Sequence, residues 1–553
     1  MRTHYPRTRH LPWSPGATAD DLRVTDLSGL RGREVVVTEK LDGENTTLYA
    51  DGLHARSLDS AHHPSRTWVK ALQARIGHAI PEGWRVCGEN MYARHSIAYD
   101  DLESWFYGFS VWDGNGRCLD WDRTVHFLRG LGIPVPRVLW RGVFDERALR
   151  ALRLDLGRQE GYVVRAVDGF GAEEFAERVA KWVRAGHVRT DTHWMHAAVV
   201  ENGLGPGTAL WAVRSGGAVD TAALEEAVGL PGEGDPRAVA RFDAGGRTGD
   251  DRLVGILAAL LHSGRRGRLA ARLAGAIGMP LARRAADLVG LHPALHRPYP
   301  DEDRRAGLVR LSYATDLGLL HQVARATADT DEAREQVEWS ALHAEDVGGL
   351  DQSALREAFA GLPADAAVRC RAEAREAYAR GRIGGVEEAV AATWRWRSGA
   401  FPKLIHMVGP AGSGKSTFAR GLPGVDAYVS LDDLREARGA RADQRANADV
   451  LREGLDRLDS ALAAGGTVVW DATSLNKQQR SLVHAVARRR DALITHAVVL
   501  VDEEELIRRN ARREHPVPPE VLKAQLRRFG PPYPGDAHRT WYVGASGTIE
   551  EEV

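Results

Sequence analysis

Cysteine is nearly missing from this chain. Cys87, Cys118 and Cys370 are the only three in 553 residues, far apart and without CxxC spacing. That argues against a disulfide framework or a zinc site and fits a reducing compartment. An excess of either charge is missing too: 74 Lys and Arg against 75 Asp and Glu leave a formal net charge of −1. A nucleic-acid surface must then be a local patch rather than a global excess. No apolar run approaches the roughly 20 residues that span a bilayer. The opening MRTHYPRTRHLPWSP lacks the apolar core of a signal peptide. The expectation is a cytoplasmic chain with no membrane partner.

At roughly 100–200 residues per domain, the length suggests about three domains. Residues 1–195 are rich in strand-like runs: REVVVTEK, RVCGENMY, WFYGFSVWD and EGYVVRAV. GLPGEGDPRAVARFDAGGRTGDD, residues 229–251, reads as an irregular connector. From 252 to about 395, Ala, Leu, Arg and Glu recur at helical spacing. KLIHMVG then reads as a buried strand opening an α/β unit. The expected fold is multidomain, α+β and then α/β, divided into 1–195, a mostly helical 196–398 and 399–553. The middle segment carries no recognisable motif. A binding module for RNA or for the other domains is its default reading. Its arginine-rich stretches, HSGRRGRLAAR and GMPLARRAA, read as phosphate contacts or, more simply, as solvated helix faces.

GPAGSGKS, residues 409–416, follows the strand KLIHMV and precedes the helix-like STFARGL, the context a phosphate loop requires. Gly409, Gly412, Ser413 and Gly414 let backbone N–H groups close around phosphate oxygens, with Thr417 in the following turn. Lys415 is expected at the β- and γ-phosphates and Ser416 at Mg²⁺. VSLDDLREA follows, and an alcohol acceptor needs a carboxylate to take its proton. Asp432 suits that role and Arg435 an acceptor phosphate; a capped helix start is the plainer alternative. Arg508, Arg509, Arg512 and Arg513 read either as charge stabilisers for a transferring phosphoryl group or as a solvated basic helix.

TEKLDGENTTLY, residues 38–49, sets Lys40, Asp42, Gly43 and Glu44 side by side at a strand end. A lysine amine is a nucleophile only when deprotonated, and desolvation or a neighbouring cation can lower its pKa. Attack on the α-phosphate of ATP would give lysyl-AMP and release pyrophosphate. Acids nearby can bind ribose or metal, and a hairpin turn with its charges in water is the alternative. CGENMYA, WFYGFSVWD, EGYVVR and VAKWVR follow in order. His187, His193 and His196 come next; they read as metal ligands or, more simply, as surface or core histidines.

Two resemblances join these segments. GxxGSGKST, DDLR, WDAT and RRNARR before PVP, over 403 to about 530, resemble the phage-type polynucleotide 5′-kinases. That resemblance implies Asp432 as general base, Arg435 on an acceptor 3′-phosphate, and Arg509 and Arg513 as lid arginines. The family's Thr-Asn after the strand aspartate is here Ala472-Thr473. KLDGE and its partner segments, over roughly 30–190, resemble the covalent nucleotidyltransferases, RNA ligases most of all. This implies an ATP-grasp-like fold of mixed antiparallel sheets. Lys40 is then the AMP acceptor, Glu89 the ribose contact and Phe109 the adenine stack. Glu160 supports metal and Lys181 contacts the α-phosphate. Arg56 binds nucleotide and 5′-phosphate strand, and Arg184 stands where a second lysine is usual. Together the resemblances imply a bifunctional enzyme that heals and seals RNA ends, tRNA or other cleaved RNA, using ATP with Mg²⁺ or Mn²⁺ and no obligate protein partner. DNA end repair by the same chemistry and a nucleotide-dependent scaffold are the alternatives.

Overall fold

The computed structural model describes residues 2–58, 63–186, 198–298, 301–347, 349–438, 447–513 and 515–553. The chain forms two compact units. One comprises Met1–Ala227 with Gly246–Leu253, the other Val228–Gly245 with Val254–Val553.

The first unit is built on two sheets. Glu34–Lys40 lies in a five-stranded sheet between Gly161–Ala166 and Val138–Val143, antiparallel to both. Val179–Val183 and the short Arg9–His10 complete that sheet. The second, six-stranded sheet is antiparallel throughout. Its centre is Phe106–Trp112, Arg85–Asn90 and Glu44–Tyr49. The alternation that predicts strands is obeyed where one face is polar. In Glu34–Lys40, however, Val35, Val36 and Val37 are all fully buried, as in a strand covered on both faces. Helices Thr67–Ile76 and Trp121–Gly130 bring Val69, Leu72 and Leu128 into one core with Leu48, Val86, Phe106 and Val111. The turn Leu41-Asp42-Gly43 carries the chain from one sheet to the other, and so fixes where Lys40 projects.

The second unit begins with helices and ends with a sheet. The stretch expected as an irregular connector contains helix Pro236–Asp243. Asp235 caps it, accepting from the Arg237 N–H, and proline occupies its first turn. Its Ala238, Val239 and Phe242 are buried. Among the described residues between 228 and 402 there is no strand, as the helical spacing predicts. The C-terminal sheet runs Ala427–Ser430, Thr467–Asp471, Lys403–Val408, Leu493–Val499, Arg539–Val543, all parallel, with Ile549–Glu552 antiparallel at the edge. Leu404, Val468, Trp470 and Ile494 pack on one face, and Ile405, Met407, Val469, Ala497 and Val499 on the other.

The middle helices are clamped to the C-terminal part of this unit by two arginines, Arg266 and Arg283, which are neither solvated nor open to phosphate, while Arg265 of the same stretch is exposed. Arg266 bonds buried Asp287 (Nε to Oδ1 2.6 Å) and stacks on the Tyr533 ring, 3.5 Å from its centroid. Arg283 joins the same Asp287 (2.9 Å) to Glu551 (2.7 and 2.8 Å) on the last strand. Buried charges persist only when paired, and these are. The three cysteines are buried and unpaired. Among the described residues no helix is long and apolar enough to cross a membrane.

Candidate active sites

In the first unit Lys40 ends its strand opposite Gly161, the residue after Glu160. The ammonium therefore meets the Glu160 carboxylate, Nζ to Oε2 2.5 Å. Burial alone would push the Lys40 amine down. The carboxylates of Glu160, Glu89 and Asp42 outweigh it and hold the pKa above the ordinary lysine value. The lowering that desolvation can bring is thus reversed by these acids, and the Lys40 amine stays protonated beside them. Burial, with Glu160 and Asp42 nearby, raises Glu89 to about 7 against the pull of Lys40. Lys181, on Val179–Val183, is pushed down by burial and by the Lys40 charge. Two cations and two crowded carboxylates thus lie within electrostatic reach of one another, and a further cation at Glu89 and Glu160 would relieve the acids' repulsion.

The other two acids of the motif have structural partners. Asp42 Oδ2 accepts from Ser96 N (2.9 Å), Ser96 Oγ (2.6 Å) and Ile97 N (3.0 Å), and the Asp42 N–H donates to Tyr99 Oη (3.1 Å). Glu44 is buried in an ion pair with Arg66, Nε to Oε2 2.8 Å. Glu44 is therefore committed to Arg66 through both oxygens rather than open to ribose or metal, and the Oδ2 of Asp42 is taken up by the Ser96 and Ile97 donors. Gly43 is required by close approach: a Cβ there would stand 2.5 Å from Asn90 O and 2.7 Å from Met91 Sδ. Nothing in the sequence marks Arg66, Ser96 or Tyr99.

The remaining residues of this set are placed as follows. Phe109 is half-buried and meets Tyr5 edge to face, ring centroids 5.2 Å apart. Arg56 is exposed, and its charge is felt at Lys181. Arg184 is buried; its N–H donates to Glu160 O (3.0 Å) and its guanidinium to the Leu156 carbonyl. The structure thus brings Lys40, Glu89, Glu160, Lys181 and Arg56 together, and seats Arg184 behind Glu160. His187, His193 and His196 lie outside the described residues.

In the second unit the phosphate loop leaves the end of Lys403–Val408. Gly412 and Gly414 adopt φ of 81° and 97°, which only glycine tolerates readily. Gly409 lies behind the loop, its N–H on Thr473 O at 3.0 Å. Ser413 Oγ is buried without a partner, and Lys415 Nζ rests on Pro410 O at 2.8 Å. Burial pushes Lys415 down to about 8; Arg513 adds to this, while Asp471 and Asp432 oppose it. A cleft of about 1350 Å³ opens here, lined by Lys415, Ser416, Thr417 and, across from them, Asp432, Arg435, Arg509 and Arg513. A buried lysine with its pKa lowered, on a glycine loop whose Gly412 and Gly414 have positive φ, fits a bound polyphosphate.

Asp432 lies in the first turn of helix Leu431–Ala437, whose cap is Ser430, so the cap and the carboxylate are different residues. Asp432 Oδ1 accepts from Arg435 Nη1 at 2.5 Å. Arg509 reaches Ser413 O of the loop (3.4 Å) while held by Glu505 (2.7 Å). Tyr428 Oη, which sequence reasoning missed, donates to Asp471 at the end of Thr467–Asp471.

Residues 33–183 match the family model for RNA ligase, and residues 404–532 that for the AAA domain. No curated protein matches the chain. Among solved structures, a chain of the Pnkp1/Rnl/Hen1 RNA repair complex is 25% identical, over 23% of this chain and 44% of that one (TM-score 0.22). The Naegleria gruberi RNA ligase, as a lysine-to-alanine mutant with ATP and Mn, is 16% identical, over 29% and 52% (TM-score 0.23). A sugar kinase from Janibacter is 19% identical, over 27% and 88% (TM-score 0.22). The chain spans about half the length of the repair-complex and Naegleria chains it matches. The family matches coincide with the two sites built above: the chain carries an RNA ligase domain over residues 33–183 and a kinase-like P-loop domain of the AAA family over residues 404–532.

Proposed function

We propose that the chain is a bifunctional enzyme that phosphorylates 5′-OH RNA ends and then joins them to 3′-OH ends, with ATP as donor and Mg²⁺ or Mn²⁺ at each site. The observation that carries it is the common cleft: the phosphate loop faces Asp432 and Arg435 across one volume, so donor and acceptor can meet. A pure nucleotide switch needs no general base beside an acceptor site, the role that Asp432 and Arg435 together suit.

In the kinase, Asp432 takes the proton of the 5′-OH as that oxygen attacks the γ-phosphorus, and the bond to the ADP oxygen breaks. Lys415 and the loop N–H groups of Gly412, Ser413 and Gly414 hold the phosphates, with Ser416 toward the metal and Thr417 beside it. Arg509 and Arg513 balance the transferring charge. Arg435 must leave Asp432 to hold the acceptor's phosphate. In the ligase, Lys40 gives up its proton and attacks the α-phosphorus; pyrophosphate leaves and lysyl-AMP remains. A divalent ion at Glu160, when bound, neutralises the acids that keep Lys40 charged. Lys181 contacts the α-phosphate, Glu89 the ribose and Phe109 the adenine, while Arg56 and Arg184 face or support the 5′-phosphate strand. AMP then passes to the RNA 5′-phosphate, and the 3′-OH displaces it. The division of labour is 1–195 for sealing, 196–398 for support of the two chemistries and 399–553 for healing.

The order of steps supplies the test. RNA with 5′-OH and 3′-OH ends should be sealed by the wild-type protein and should stall in Asp432→Ala. Pre-phosphorylated 5′ ends should rescue that variant. Failure of the wild type on pre-phosphorylated RNA would refute the sealing step as written.

A further inference from the structure

Behind the phosphate loop three histidines meet in the core of the second unit. His406 lies on Lys403–Val408, three residues before Gly409. His496 stands in register with it on the neighbouring parallel strand. His484 comes from helix Lys477–Arg489. The rings are buried, with centroids 4.9, 5.5 and 5.6 Å apart. One ligand nitrogen from each ring lies within 4.8 Å of the others.

The hydrogen bonding within this group does not close. A neutral imidazole has one N–H and one lone pair. His484 Nε2 and His496 Nε2 meet at 2.9 Å, and His406 Nε2 meets Ser474 Oγ at 2.8 Å. His406 Nδ1 and His496 Nδ1 are buried with no partner at all. Buried polar atoms without partners are rare in folded proteins. One nitrogen from each of three buried rings thus lies within 4.8 Å of the others, and two ring nitrogens in the group lack any partner.

We infer that His406, His484 and His496 form a structural site for one divalent transition-metal ion, with Zn²⁺ the ion their chemistry favours. Imidazole suits zinc, whereas Mg²⁺ and Ca²⁺ take oxygen ligands, and the cluster offers no carboxylate. Zinc–nitrogen bonds of about 2.0–2.1 Å set nitrogen–nitrogen edges of about 3.3 Å in a tetrahedron. The 2.9 Å contact must open slightly and the wider ones close by ring rotation. Ser474 then has the part of an outer partner, fixing the tautomer of His406 by accepting its Nε2–H. Arg480, on Ser474 O (3.1 Å) and Gly530 O (3.0 Å), opposes a dication, and Asp536 partly offsets it. The ion would tie the strand entering the phosphate loop to its neighbour and to the helix after Asp471. It would hold the loop from behind and take no part in phosphoryl transfer.

The test needs no ATP and so stands apart from the kinase reading. Full-length protein is stripped with chelator, incubated with Zn²⁺, desalted and assayed for metal by mass spectrometry. The wild type should retain one equivalent more than the His484→Gln/His496→Gln variant, which also controls for zinc bound elsewhere on the chain. Co²⁺ should give visible tetrahedral d–d bands in the wild type alone. Should the variant not fold, the wild type still decides: Zn²⁺ should raise its melting temperature and chelator reverse the rise. No retained zinc, equal zinc in a folded variant, or a melting temperature indifferent to zinc would overturn the inference.

Discussion

The buried Lys415 should make nucleotide binding at the phosphate loop depend on pH. Its amine is buried and lies at about 8, against 10.5 for an unperturbed lysine. The perturbation is a change of pH from 7 to 9. Bound β- and γ-phosphates favour the ammonium and restore the ordinary value. Below about 8 the lysine is already charged and ATP binds without proton uptake. Above it the free protein has lost the proton, and binding must first restore it. The affinity should then fall by up to tenfold for each pH unit until the bound-state pKa is reached. With values of about 8 and about 10.4, the loss between pH 7 and pH 9 is about tenfold, or about 1.4 kcal/mol. The assay is calorimetric titration of Lys40→Ala with ATP, subtracting the same titration of the Lys40→Ala/Lys415→Met variant, which isolates the phosphate-loop site. An affinity that stays flat from pH 7 to pH 9 would refute the reasoning.

Other consequences concern separate groups. Asp432→Ala should lower the rate of 5′-OH phosphorylation by about 10²–10⁴-fold while leaving ATP affinity unchanged, because a base acts only in the transition state; equal losses in rate and affinity would reduce Asp432 to a scaffold. Arg66→Leu should strand the Glu44 carboxylate, 8% exposed, at a cost of about 3–5 kcal/mol. Urea denaturation followed by tryptophan fluorescence measures it, and a loss below about 1 kcal/mol, the range of an exposed pair, would contradict the burial argument.

The strands were legible because alternation and apolar runs report burial directly. REVVVTEK, RVCGENMY, WFYGFSVWD and KLIHMV each contain the strand the structure places there. Helix Pro236–Asp243 escaped because eight residues between glycine-rich flanks carry too little periodicity, although Asp235-Pro236 is a helix start. The phosphate loop is a contiguous motif, so its geometry could be read in advance. The KLDGE acids could not, since their meaning depends on residues distant in sequence: Arg66 is 22 positions from Glu44, and Ser96 is 54 from Asp42. For the same reason Arg283 looked like a solvated cation; its partner Glu551 is 268 positions away. The charged state of Lys40 was hidden likewise, because Glu160 faces it only once two strands pair.

The central claim is that Lys40 is the covalent acceptor of AMP in a chain that also carries its own kinase. Incubation with α-labelled ATP and a divalent ion, followed by denaturing electrophoresis, tests it most directly. The account predicts a labelled protein that pyrophosphate discharges, and no label in Lys40→Ala, whose kinase still phosphorylates 5′-OH RNA. Persistent labelling of Lys40→Ala, or no label in the wild type, would contradict it.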